Sequence, residues 1–453
     1  MLKMLSAEFS RFAENLRIND IPQNVVAKAK LHLLDTIGVT AVGSLEPRIF
    51  SLMNAMKKMN DQGQSTVFWY GSRFPSPTTA LVNGAMAHAL EYDDTHLGSV
   101  IHLSAPIVAT VLAVGEALHS SGAEILTALI AGYEVTARIG MAARGKFHQR
   151  GFHATSVCGT LGCALAAGML LGYDADKLSG AMGIAGSMSS GLMEFLSDGS
   201  WIKPLHAGWA AHAGTLAALL AGQGLSGPKT VIEGKRGIYA AFAGHCPPTS
   251  DIAGELGKRW ETLNISFKLF PNCHLIHEFM RTIQAIKKEH NVNSVAIAKI
   301  VCYVDELSYS IICPSSERKI IPETRYDAMF SLPYGVALTF VKDSIDVQDF
   351  DVEKGVPTEV RELLKKVEFK RADDRPRQLV VVHLRNGEKL TASQSLPRTP
   401  PPEAVVSKYM KNVSPLLDHE QATELLNTVM KLEKLADIRE LVKHLICSHP
   451  FAK

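Results

Sequence analysis

The sequence predicts a mainly α fold, with a large all-α helical domain and an inserted, smaller α+β lid domain. Three observations carry this. Apolar residues recur at helical spacing through roughly the first 265 residues, β-branched alternation sets in after residue 268, and helical spacing returns after a Pro-rich stretch. The predicted division is 1–267 plus 396–453 for the helical domain and 268–395 for the lid domain.

In chain order, the first helix follows Pro22, a residue suited to a first helical turn, with Val26, Ala29, Leu33 and Ile37 on one face. Ala80–His88, Ile107–Ala117, Gly159–Gly172 and Ala207–Gly222 are rich in Ala and Gly. Small side chains let helix backbones approach, and helices without a polar face belong inside a bundle. Further on, Ile300, Cys302 and Val304 alternate with Val301 and Tyr303, as in a strand. Tyr334–Val341 is a helix. A second strand, Gln378–Arg385, runs into Asn386-Gly387 and returns as Glu388–Thr391. That dipeptide predicts a type I′ turn, which needs positive φ at both positions. Leu396–Pro402 reads as a linker. Asp418 and Gln421 form a capping box for a tail helix whose face is marked by Leu425, Val429, Leu432 and Leu435.

Composition narrows the function. The chain of 453 residues is long enough for two domains, and 46% hydrophobic with 20% charged residues fits a globular protein with a large core. A formal net charge of +2 is too small for a nucleic-acid or acidic-membrane partner. Seven cysteines form no CxxC pair, which predicts free thiols in the cytoplasm rather than zinc or iron–sulfur ligands. The N-terminal stretch lacks the apolar core of a signal peptide. Ala154–Tyr173 is uncharged over the length of a membrane span. Its Thr155, Ser156, Thr160 and four glycines predict a buried helix instead. Gly159-Thr-Leu-Gly162 follows no strand, so no dinucleotide site is expected. Neither a metal nor a cofactor is expected.

Four stretches place His, Lys and acidic residues in otherwise apolar or small-residue sequence. They are Glu91-Tyr-Asp-Asp-Thr95-His96 with Val100-Ile-His102-Leu-Ser104; Gly151-Phe-His153-Ala-Thr155-Ser156; Trp201-Ile-Lys203-Pro-Leu-His206-Ala-Gly208; and Phe267-Lys268 through Cys273-His274 to His277. Singly, each has a plain structural reading: a lone His is usually a hydrogen-bonded core residue, Asp93 and Asp94 can cap a helix, and a lysine can reach the surface. Together, two lysines and several imidazoles suit an anionic substrate and proton exchange near neutral pH.

At these stretches the chain resembles the MmgE/PrpD family. The resemblance runs from Leu34-Asp35-Thr36-Ile37-Gly38 through Val82-Asn83-Gly84, His88-Ala-Leu-Glu-Tyr-Asp-Asp-Thr95, Phe152-His153 and Lys203-Pro-Leu-His206-Ala-Gly208 to Phe267-Lys268 and Ala328-Met-Phe-Ser331-Leu-Pro-Tyr334. The family includes 2-methylcitrate dehydratase, cis-aconitate decarboxylase and iminodisuccinate epimerase. The resemblance implies the same two-part fold and a homodimer. By position, it implies Glu91, Thr95, His102, His153, Lys203 and Lys268 as site residues, with Cys273 or His274 at the last histidine of the decarboxylase. Glu91 stands where the family has Asp, and Leu103 where it has Pro.

These readings converge on a cofactor-independent lyase that removes a proton beside a carboxylate of a small di- or tricarboxylic acid. His102 is the expected base and His153 the acid. Glu91 or Asp94 orients an imidazole, and Thr95 offers a hydroxyl to the substrate. Lys203, Lys268, Cys273 and His274 are expected to bind it. The leading expectation is a 2-methylcitrate dehydratase-like hydro-lyase. The alternatives are a dicarboxylate epimerase and a cis-aconitate decarboxylase-like carboxy-lyase.

Overall fold

A computed structural model of the chain describes residues 4–59, 62–248, 252–313, 320–373, 379–393 and 400–447. The helical body is built from α1 (Gln23–Gly43), α2 (Ser76–His88), α3 (Ser104–Leu118), α4 (Gly122–Ala142), α5 (Ala154–Leu170), α6 (Ala175–Met188) and α7 (Lys203–Gly222). The Ala- and Gly-rich segments form α2, α3, α5 and α7, as their composition predicts. Helix α5 takes in the uncharged stretch, and every residue from Ala154 to Gly168 is buried against other helices. Among the described residues one helix, α4, is long and apolar enough to cross a membrane, and 89% of its apolar window is buried within the protein.

Close helix contact has a visible cause at one crossing. Gly84 on α2 faces Gly208 on α7, and a Cβ added to Gly208 would lie 2.2 Å from the Leu81 carbonyl oxygen. Only glycine allows this approach. It fixes α7 against α2, and therefore fixes the first residue of α7, Lys203, relative to the loop that follows α2.

A two-stranded ladder joins distant parts of the chain beside that loop. Strand β1 (Thr95–His96) pairs antiparallel with β2 (Ile265–Ser266), with Thr95 opposite Ser266. The turn before β2 is anchored by Glu134 of α4, which accepts from the Glu261 and Thr262 backbone N–H groups at 3.0 and 2.8 Å and from the Thr262 hydroxyl. Sequence reading missed this ladder because two-residue strands carry no periodicity.

Beyond α8 (His274–His290) lie β3 (Ile297–Val304), α9 (Leu332–Val341), β4 (Val367–Arg371), β5 (Leu379–Leu384) and β6 (Lys389–Ala392). The strands form a sheet in the order β4-β3-β5-β6. Strand β3 pairs parallel with β4 and antiparallel with β5. Strand β4 was not anticipated: Val-Glu-Phe-Lys-Arg is too charged to read as a strand, and it sits at the sheet edge where such residues face solvent. The hairpin after β5 also differs from expectation. Gly387 has φ +90°, but Asn386 is not in the positive-φ region. Leu384 N–H donates to the Glu388 carbonyl, so the loop takes a three-residue form with a left-handed glycine rather than a type I′ turn.

The chain then returns to helix as α10 (Pro402–Val413) and α11 (His419–Met430). Of the expected linker Leu396–Pro402, residues 396–399 lie outside the described residues, and Pro402 belongs to α10 itself. Asp418 and Gln421 form the expected capping box of α11. Helix α10 packs on α1, where Lys408 Nζ lies 2.8 Å from Asp35 Oδ1.

Substituting Gly208→Ala is expected to cost about 1–3 kcal/mol by overpacking the α2–α7 crossing. Gly180→Ala, in the middle of α6 with open space around its Cβ position, should be neutral or stabilise by up to about 1 kcal/mol. Urea unfolding monitored by circular dichroism distinguishes the two; equal stability of both variants would refute the close-contact argument.

Candidate active site

Four helix N-termini meet around one cavity. His102 lies just before α3, His153 caps α5, Lys203 opens α7, and Cys273 and His274 start α8. Helix starts carry partial positive charge; at α3 the Asp94 carboxylate takes up the first N–H, that of Ser104. The cavity is narrow: the centre of a water-sized sphere can occupy about 40 Å³ within it. Its polar lining includes Glu91, Thr95, His102, His148, His153 and Lys203. Leu97, Val100, Met193, Leu275, Ile311 and Phe330 supply apolar lining, together with Cys273 and His274.

Glu91 is the hub. Its carboxylate pairs with the Lys203 ammonium and lies 2.9 Å from Lys268 Nζ. Lys268 also donates to the Glu91 backbone carbonyl at 2.8 Å. His102 Nε2 is 3.3 Å from Glu91 Oε1 and 3.3 Å from Lys203 Nζ. Glu91 has φ +51° and Val100 φ +56°. Both are unfavourable for residues with side chains, and Val100 is β-branched. Such strain persists where surrounding contacts over-determine the backbone. Here the β1–β2 ladder and the two lysines supply those contacts.

The expected residues assemble, with two corrections. Lys268 is fully buried behind Glu91 and does not line the cavity, so it acts on the carboxylate of Glu91 and not directly on a guest. Asp94 also turns away. Its carboxylate lies 2.7 Å from His32 Nδ1 and accepts from the Ser104 backbone N–H and hydroxyl, capping α3. Only its backbone carbonyl reaches His102, at 3.0 Å from Nδ1. Thr95 Oγ1 is 3.5 Å from the same nitrogen.

Three residues were missed. Asp93, read as a helix cap, approaches His102 Nδ1 at 3.4 Å and accepts from His88 Nδ1 at 2.9 Å. His88, fully buried, places its ring centroid 4.4 Å from that of His102, with the two rings tilted by 60°. His148 lines the cavity, 6.2 Å from the His153 ring. An imidazole inside an apolar segment was the available signal for His88. The apolar lining left none, because its residues come from separate loops and helices.

Burial dominates the electrostatics. It would raise the Glu91 carboxyl, but Lys203 and Lys268 outweigh it and keep the group ionised well below the usual carboxylate range. Burial, followed by Lys203, pushes His102 down to about 4. The same two causes push His148 down to about 4 and His153 well below its ordinary value. Burial lifts the Cys273 thiol to about 11, so it is a neutral thiol near pH 7. Ring nitrogens of His88, His102 and His153 come within 4.8 Å of one another, a spacing a transition metal could draw together. The Lys203 ammonium beside His102 Nε2 puts a positive charge where the ion would bind, and the set suits an anion better.

The neutral imidazoles make stability pH-dependent. The unfolded chain takes up these protons near the ordinary histidine value of 6.5, and the folded chain does so for His102 and His148 only near 4. Between those values the unfolded state binds more protons, so stability falls as pH drops. Urea midpoints should hold above pH about 6.5 and decline steadily toward pH about 4. A flat profile across that window would contradict the buried-neutral assignment.

Two family descriptions cover most of the chain: the MmgE/PrpD N-terminal domain matches residues 7–250, and the MmgE/PrpD C-terminal domain matches residues 270–434. Among curated proteins, the chain is 28% identical to a cis-aconitate decarboxylase of Aspergillus terreus, covering 98% of this chain and 96% of that protein. It is also 28% identical to the cis-aconitate decarboxylases of Mus musculus and Homo sapiens, covering 98% and 96% of this chain and 93% of each of those proteins. Two domain matches in order, over a site assembled from the stretches that carry the resemblance, make this chain a member of the MmgE/PrpD family.

Proposed function

We propose that the protein is a cofactor-independent lyase that releases carbon dioxide from a small unsaturated tricarboxylic acid of the cis-aconitate type. The observation that carries this is the mixed lining of the cavity. Lys203 and the imidazoles offer charge and hydrogen bonds to carboxylates, while Val100, Ile311 and Phe330 in the same lining offer none. A carboxylate pressed against apolar side chains loses its hydration, which favours its departure as neutral CO₂.

In the proposed step the bond between carbon and the carboxyl held against those side chains breaks, and its electron pair stays on carbon. That charge spreads into the adjacent unsaturation and a remaining carboxylate, where Lys203 and the helix starts at the cavity stabilise it. An imidazole N–H, His153 in this reading, delivers a proton to carbon and regains one from solvent. His102 relays or accepts protons with its cavity-facing nitrogen. The fold-level relatives support the carboxy-lyase over the expected dehydratase, since those at 28% identity over nearly the full chain are decarboxylases. His274 on the cavity wall supports it too: it supplies an imidazole beside Cys273.

NMR of the purified protein with cis-aconitate in deuterated water should show loss of one carboxyl and one deuterium incorporated on carbon. Lys203→Met should lower that turnover by about a hundredfold or more. If cis-aconitate persists while a citrate-like hydroxy acid is dehydrated, the chain is a hydro-lyase and the proposal is wrong.

A further inference from the structure

Asp93 and His88 are fully buried, lie against the proposed base and have no part in the chemistry above. We propose that Asp93, clamped by His88, is the positioning carboxylate of His102: it holds the imidazole with its basic nitrogen toward the cavity and stabilises it once protonated. This deepens the proposed function and rests on its use of His102 as a proton-handling group.

The tautomer follows from the neighbours. His102 Nδ1 lies 3.0 Å from the Asp94 backbone carbonyl, which can only accept. Nδ1 therefore carries the hydrogen. Nε2 lies 3.3 Å from the Lys203 ammonium, which can only donate, and 3.3 Å from Glu91 Oε1, an acceptor already taken by Lys268 at 2.9 Å, so Nδ1 with its two acceptors keeps the hydrogen. The lone pair of neutral His102 thus points to the cavity side. Asp93 Oδ2 sits 3.4 Å from the protonated Nδ1, where a carboxylate fixes a ring and stabilises an imidazolium without taking its proton.

His88 fixes Asp93 in turn. Its Nδ1 lies 2.9 Å from both carboxylate oxygens, so it donates to Asp93. Its Nε2 is buried and has no partner. An orphaned buried nitrogen is a cost, and the Asp93 contact on the opposite side of the ring is what offsets it.

Charge explains why Asp93 matters. The groups facing His102 are Lys203 and Lys268, which oppose its protonation, Glu91 and Asp93, which favour it, and the rings of His88 and His153 with His274 farther off. Glu91 is already shared by the two lysines. Asp93 alone among these acids has no ammonium partner, and its charge is the one left for an imidazolium at His102.

The test uses the full-length protein with ¹⁵N-labelled histidine. In the wild type, His102 should appear as the Nδ1–H tautomer; finding the Nε2–H tautomer would overturn the proposal without any variant. Asp93→Asn keeps the shape and removes the charge. It should lower kcat by about a hundredfold with little change in KM, and move His102 protonation to lower pH. His88→Gln should cause a smaller loss, about tenfold, and the double variant should be no worse than Asp93→Asn alone, as expected of residues acting as one unit. Circular dichroism reports folding, and His88→Gln remains informative if Asp93→Asn does not fold. A folded Asp93→Asn protein with wild-type kcat and wild-type His102 titration would overturn the proposal. If the titration shifts as expected but no carboxylic acid is turned over by the wild type, the positioning role stands and the proposed reaction fails.

Discussion

The carboxylate of Glu91, shared by the ammonium groups of Lys203 and Lys268, is the interaction on which the site depends. All three groups are buried. Each charge alone would be expensive to remove from water, and losing one partner from such a set typically costs about 3–5 kcal/mol. The three residues come from the loop after α2, the start of α7 and the segment after β2, so the ion pairs fasten together parts of the chain far apart in sequence. Glu91 has one more methylene than the Asp usual in the family, and its two oxygens reach both lysines. The left-handed backbone at Glu91 is the local cost, and the Lys268 bond to its own carbonyl helps fix that conformation.

This arrangement shapes what the cavity offers a guest. Lys203 and Lys268 share the Glu91 carboxylate, and burial keeps His102, His148 and His153 unprotonated near neutral pH. A carboxylate entering the cavity would meet Lys203 together with the starts of α5, α7 and α8. Each helix contributes roughly half an elementary charge at its N-terminus. A guest carboxylate also competes with Glu91 for the Lys203 ammonium. The negative charge of such a guest would offset the Lys203 charge that opposes His102 protonation, so binding and proton chemistry would be coupled through one lysine.

Much of this was legible in the sequence, for identifiable reasons. Long helices with small residues declared themselves by composition, and α2, α3, α5 and α7 lie where expected. His102, His153 and Lys203 stood out because each interrupts an apolar or small-residue segment at a helix start. Lys268 was legible as a residue but not in its role, because burial behind Glu91 is a tertiary fact. Strand β4 was hidden by its charges, and the β1–β2 ladder by its length. Residues 250–270 join the two family matches, and β2 lies within them.

The choice between Asp93 and Asp94 shows where sequence reasoning stops. Neighbouring side chains in a non-helical segment point to opposite sides, so two consecutive carboxylates serve two different places. Asp93 faces the cavity-side imidazoles His88 and His102. Asp94 faces the core, pairs with His32 and caps α3 through Ser104. The sequence reading placed Glu91 or Asp94 beside the imidazole; Glu91 Oε1 lies 3.3 Å from His102 Nε2, whereas the Asp94 carboxylate pairs with His32. Asp94 still contributes through its carbonyl, which holds His102 Nδ1, while its carboxylate fixes the start of the helix that follows. One residue thus secures the ring through its main chain and the helix through its side chain, and the adjacent residue supplies the charge.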